Sequence, residues 1–233
     1  DGLVNGVSAA DPSTILSVGQ SIMNDTENLL PPTTVRRIEI ETRKLGFKMA
    51  SDYQTGSLLR SLASSKPAGK ILELGTGTGL SAAWMLDGMD GTAQLVSVDN
   101  YSSAVQVARD VLGSDHRVEF HIEDGAVFLR SQKGKKFDLI FADTWPGKVN
   151  DLDLALDLLA DGGIYVVDDM SHQPHWDKLD WDHSGDIKRV IQALDEKEEF
   201  LRTKLTWSTG IIIVTKRPNQ TPETRTTSGP VSA

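Results

Sequence analysis

The spacing of hydrophobic positions along this chain changes near Gly69. Before it, apolar residues recur at helical intervals: Ile15, Leu16 and Ile22 behind a cap at Asp11 or Ser13, then Val35 to about Leu45, then Ser51 to Ala63 with Leu58, Leu59 and Leu62 on one face. Pro31-Pro32 ends the first and opens the second, since proline breaks a helix interior but suits its first turn. These pieces predict an N-terminal helical cap, its boundary set at residue 46, and no separate domain.

After Gly69, short apolar runs alternate with helical stretches. Strands are predicted at Lys70–Leu74, Gln94–Val98, Val118–Ile122, Phe137–Phe141 and Ile164–Val167. Helices are predicted between them at Ser81–Leu86, Ser102–Leu112, Gly125–Ser131 and Asp151–Leu159, the last closed by a turn at Asp161-Gly162-Gly163. A further helix from Ile187 to about Leu194 precedes two strands, Leu201–Thr206 and Gly210–Lys216. Three residues separate those two, so they must pair antiparallel. The pattern predicts an α/β fold: a doubly wound, mainly parallel sheet of seven strands with an antiparallel last strand, over residues 47–217. The Thr-, Pro- and Ser-rich stretch 218–233 reads as a disordered tail.

Composition narrows the chemistry. The 233 residues suit one domain of about 200 residues with loose ends. A net charge of -9 disfavours nucleic acid and anionic membrane as partners. No apolar run approaches the roughly 20 residues a bilayer span needs. Cysteine is absent, which removes disulfides, thiolate metal sites and thiol catalysis. The fold suggests a cytoplasmic location, and a leader trimmed ahead of Asp1 is left open.

The most informative stretch is Glu73-Leu74-Gly75-Thr76-Gly77-Thr78-Gly79. It lies between a strand and a helix, where such sheets bind ligands and where free N–H groups and missing Cβ atoms let a ligand approach the main chain. Its G-x-G-x-G spacing differs from the G-x-G-x-x-G of dinucleotide binders. Glu73 beside a pyrophosphate would bring two anions together, whereas an amine or sulfonium ligand would suit it. Asp99, with Asn100 after it, ends the second strand 24 residues beyond Gly75, where a carboxylate can accept ribose hydroxyls. Asp124-Gly125-Ala126 follows the third strand, where an adenine amine would fall. Singly, each carboxylate also reads as a helix N-cap; together, at successive strand ends, they predict an adenosyl ligand.

ELGTGTG, VSVD, EDGA and FDLIFADTW resemble the successive motifs of class I S-adenosylmethionine-dependent methyltransferases, most closely the catechol and caffeoyl-coenzyme A type O-methyltransferases, over roughly Phe47 to Arg217. The resemblance implies S-adenosylmethionine as methyl donor and a small hydroxylated acceptor, aromatic ones included. It implies that Lys48-Met49-Ala50-Ser51 contacts the methionine portion through Met49 and Ser51. The donor would further engage Glu73, Gly75, Thr76, Gly77, Gly79, Ser81, Asp99, Asn100, Asp124, Gly125, Ala126, Asp143 and Trp145. By analogy with the family, the N-terminal helices could pair two subunits in a homodimer, and the sequence leaves the oligomeric state open.

Three carboxylates, Asp143 after the fourth strand and Asp168 and Asp169 after the fifth, fall on one rim of the sheet and repel unless a proton or cation intervenes. Oxygen-only donors suit Mg²⁺, Mn²⁺ or Ca²⁺, and the resemblance implies such an ion at these positions, with Asp169 standing where the family has Asn. An ion there would lower the pKa of a substrate hydroxyl. The family's base is a Lys shortly after the strand-four Asp. Lys148 is the candidate, with a solvated loop lysine as the alternative. The segment Ser171–Asp186, rich in His, Trp and Asp, reads either as a lid or as a surface loop, and His172 or His175 in it is a second candidate base. Two other functions stay open: a tRNA-modifying methyltransferase, with Arg36, Arg37, Arg43 and Lys44 as its basic lip, and a non-catalytic binder of the same ligand.

Overall fold

The computed structural model describes residues 23–217 apart from His175 and Leu179. The helix expected over Ile15, Leu16 and Ile22, the tail from Pro218, and His175 lie outside the described residues. Seven strands form one sheet: β1 (Lys70–Leu74), β2 (Gln94–Asp99), β3 (Val118–Ile122), β4 (Phe137–Ala142), β5 (Leu159–Val167), β6 (Phe200–Leu205) and β7 (Ile211–Lys216). Their order is β3-β2-β1-β4-β5-β7-β6. The first five are mutually parallel, and β7 runs antiparallel to both β5 and β6.

Helices cover both faces. On one side lie α1 (Val35–Leu45), α2 (Tyr53–Ser64), α3 (Leu80–Gly88) and α4 (Ser102–Leu112); on the other lie α5 (Gly125–Ser131), α6 (Leu152–Asp157) and α7 (His183–Asp195). The pleat sorts the strand residues between these layers. Ile71, Leu139, Phe141 and Val166 join the first core, while Leu72, Leu74, Ile140, Tyr165 and Val167 join the second. Strands buried on both faces need apolar residues at successive positions, which is why the sequence shows runs and not alternation.

Local chemistry sets several boundaries. Asp52 caps α2 by accepting from the N–H groups of Gln54 at 2.7 Å and Thr55 at 2.9 Å. Gly46 ends α1 in the left-handed conformation, φ 72°. Gly56 of α2 leaves room for the indole of Trp84, so the two helices α2 and α3 pack closely.

Three expectations need correction. Helix α6 stops at Asp157, not Leu159, and β5 starts at Leu159, five residues before the expected strand. Asp161-Gly162-Gly163 does not end a helix; it is an irregularity within β5, where the register against β4 jumps from Phe137↔Leu159 to Leu139↔Ile164. Nor is Ser171–Asp186 one loop. A 3-10 turn, Trp176–Lys178, interrupts it, and α7 begins at His183, capped by Asp182 accepting from the Gly185 N–H at 2.8 Å.

Phe141 is fully buried in the central strand β4. Phe141→Ala is expected to destabilise the fold by about 3–5 kcal/mol, read from the shift in urea midpoint at unchanged slope.

Candidate functional site

A cleft of about 320 Å³ opens at the carboxyl ends of β1, β2 and β4. Its floor is the turn from β1 into α3. Gly75, Gly77 and Gly79 all take positive φ, at 105°, 50° and 90°. At Gly75 the requirement is also steric, because a Cβ there would sit 2.7 Å from the Asp143 carbonyl oxygen. The turn is held from β2: Asp99 accepts from the Gly77 N–H at 2.9 Å with one carboxylate oxygen and from the Tyr101 N–H at 2.9 Å with the other. Gly75, Thr76, Gly77, Asp99 and Asn100 line the cleft, and Gly79 lies buried behind it, against Ala108 of α4.

Glu73 is turned away from the cleft. It shares the face of β1 that packs under α3, is fully buried, and accepts from Ser81 Oγ and Ser97 Oγ, each at 2.5 Å. Ser81 itself lines the cleft, so Glu73 reaches a ligand only through that hydroxyl. Burial raises the Glu73 carboxyl to about 7, against the two serine hydrogen bonds, which lower it.

The roof is the strap between α1 and α2. Met49 and Ser51 line the cleft, joined by Phe47 and Ala50. Phe47 packs over Gly77 and lies 5.9 Å from the Tyr101 ring, centroid to centroid. Buried Thr42 of α1 donates to Thr78 Oγ1 at 2.8 Å, tying the helix to the glycine turn. Phe47 and Tyr101 were not foreseen: an aromatic in a polar strap or after a strand carries no motif. Asp124, Gly125 and Ala126 do not line the cleft. Asp124 caps α5 through the N–H groups of Ala126 at 2.9 Å and Val127 at 3.1 Å, and Gly125 packs against Pro146.

At the far end stand Asp143 and Trp145, both in the lining. Asp143 accepts from Ser51 Oγ at 3.1 Å, which fastens the strap to β4. Burial raises its carboxyl well above the usual range, the Asp168 charge adds to this, and Lys148 opposes it. Lys148 is buried, 4% exposed, and its Nζ donates to the Asp168 carbonyl at 3.2 Å. That burial sets aside the solvated-loop alternative. His172 is exposed on the far segment, within 3.1 Å of Ser184 Oγ, and does not line the cleft.

Residues 72–170 match the family model described as a methyltransferase domain. The likeness runs from β1 to just past the end of β5. A catechol O-methyltransferase from Mycobacterium tuberculosis is 30% identical over 127 residues, covering 53% of this chain and 58% of that protein. A tRNA1(Val) (adenine(37)-N6)-methyltransferase from Actinobacillus succinogenes is 32% identical over 113 residues, covering 47% and 46%. This chain thus spans about half the length of these curated relatives. The structure of the O-methyltransferase TomG from Streptomyces achromogenes, in complex with SAM, superposes with a TM-score of 0.70 at 24% identity, over 79% of this chain and 90% of that one; it speaks for the fold.

The divalent-ion expectation can be tested on the carboxylates' own contacts. The oxygen donors are of the right type. One oxygen of Asp168, however, already accepts from the Thr209 hydroxyl and from the Asp169 N–H, the latter at 2.7 Å, and Asp143 holds Ser51. Among the described residues no three His, Cys, Asp or Glu side chains are grouped to hold a metal ion. In this arrangement one oxygen each of Asp143 and Asp168 is engaged by a hydroxyl, and the three carboxylates lie within electrostatic reach of one another.

The raised Glu73 carboxyl makes stability depend on pH. The unfolded chain releases this proton near 4.5, the ordinary value for a glutamate, and the folded one near 7, so stability is full at low pH, falls between these values, and stays low above them. Glu73→Gln removes that dependence. Its advantage over the parent in urea unfolding is expected to grow from pH 5 to pH 8 by on the order of 3 kcal/mol; parallel curves would refute the assignment.

Proposed function

We propose that this protein transfers the methyl group of S-adenosylmethionine to a hydroxyl of a small acceptor. The observation carrying this reading is the arrangement of one cleft: a glycine turn with Asp99 at the end of β2 on one side and Asp143 on the other, with buried Lys148 behind it. Asp99 keeps lone pairs on both carboxylate oxygens for the ribose hydroxyls after holding the turn. Ser81, Ser51 and the main-chain groups of Gly75 and Gly77 receive the methionine end. Phe47, Tyr101 and Trp145 supply apolar walls for the adenine and the acceptor, and exclude water.

Methyl transfer to oxygen needs the acceptor hydroxyl deprotonated and in line with the sulfonium carbon; orientation supplies much of the rate. Lys148 is the base in this reading. Neither Lys148 nor His172 lines the cleft, but Lys148 sits within the electrostatic reach of Asp143, which does. The aromatic walls favour a planar, aromatic acceptor. A tRNA acceptor has one observation in its favour, the similarity to an adenine-N6 enzyme. The exposed Arg36, Arg37, Arg43 and Lys44 would then form its landing site, and binding would weaken steeply with salt.

Calorimetric titration with S-adenosylmethionine is expected to give saturable one-site binding, and labelled-methyl transfer to a panel of phenols and catechols is expected to find an acceptor. Lys148→Gln is expected to keep donor affinity and lower turnover by about 10²–10⁴-fold. Absence of donor binding would defeat the reading; full turnover in Lys148→Gln would defeat the role given to that lysine.

A further inference from the structure

We infer that Tyr165, which has no place at the cleft, is a positioning residue that fixes Lys148 for methyl transfer. The inference rests on Lys148 being the base. Between β4 and α6 the chain makes a tight clip. The Trp145 carbonyl accepts from the N–H groups of Lys148, Val149 and Asn150 at 3.1, 2.9 and 3.0 Å, and the Gly147 N–H donates to the Asn150 carbonyl at 2.6 Å. Gly147 adopts φ 89°, and a Cβ there would run into the Leu74 side chain.

The clip is held from one strand at two points. Tyr165 of β5, with no exposed surface, donates its hydroxyl to the Gly147 carbonyl at 2.5 Å. Three residues on, the Asp168 carbonyl accepts from Lys148 Nζ at 3.2 Å. The Gly147 carbonyl belongs to the peptide group whose N–H is that of Lys148. The phenol therefore sets the peptide plane at the root of the lysine, while Asp168 sets its tip. A flexible four-carbon side chain tethered at both ends loses the freedom that would scatter its amine. Burial drives the phenol pKa upward, so the hydroxyl stays a donor at every working pH.

Tyr165→Phe deletes this one bond and keeps the ring's packing. With an acceptor that the parent methylates, single-turnover transfer is expected to fall about ten- to hundredfold while S-adenosylmethionine affinity stays within about twofold. Placed in a Lys148→Gln background, the same change is expected to cost less than about twofold more, because the hydroxyl acts only through the lysine. Gly147→Ala, which displaces the same carbonyl from the other side, is expected to show both effects and serves if Tyr165→Phe does not fold. An unchanged transfer rate in a folded variant overturns the inference, as does a full additional loss on top of Lys148→Gln. If the parent methylates no hydroxylated acceptor, the functional reading fails and the inference falls with it; an active parent with an equally active Tyr165→Phe overturns the inference alone.

Discussion

The site depends on how closely two main chains can approach at the crossover between β1 and β4. The Asp143 N–H donates to the Leu74 carbonyl at 2.9 Å, and the next residue along β1, Gly75, lies against the Asp143 carbonyl with no room for a Cβ. Any other residue at Gly75 would force the strands apart or reverse the turn. Because the approach holds, the glycine turn, the end of β2 and the end of β4 face one another across a single cleft. One wall then offers main-chain donors and Asp99; the other offers Asp143 and, behind it, Lys148. A donor and an acceptor of a methyl group need that separation of roles at short range.

Around this crossover the structure spends its polar groups on bracing. Thr42 ties α1 to Thr78, Ser51 ties the strap to Asp143, Thr209 of the β6–β7 turn reaches Asp168, and Tyr165 reaches Gly147. Each bond joins residues distant in sequence, and each ends on a segment that lines or adjoins the cleft. Preorganisation of this kind limits the reorganisation left to be done when reactants arrive. The carboxylates of Asp143 and Asp168 at the far end are part of the same bracing.

Elements bounded by residues with a unique local role were legible in the sequence: Pro31-Pro32 ahead of α1, the glycine turn after β1, and Asp124 before α5. Where one residue type serves two geometries, the sequence misled. Asp161-Gly162-Gly163 fits a helix stop as well as an irregular strand, so the early start of β5 went unseen. Glu73 was legible as important but not in its direction, since the pleat and the serines of α3 and β2 decide that it points beneath the helix. Phe47, Tyr101 and Tyr165 gave no signal, because an aromatic side chain in a strap, a loop or a strand looks the same whether it packs, lines a cleft or holds a carbonyl.

The proposed donor site rests on the glycine turn and Asp99, and the proposed acceptor site lies beyond Asp143. The most direct test of the account is therefore a crystal structure with S-adenosylhomocysteine. The account predicts the nucleoside over Gly75–Gly79 with both ribose hydroxyls on Asp99 and the sulfur facing Asp143. A cleft filled by Phe47 and Tyr101, with the ligand bound elsewhere or not at all, would contradict it.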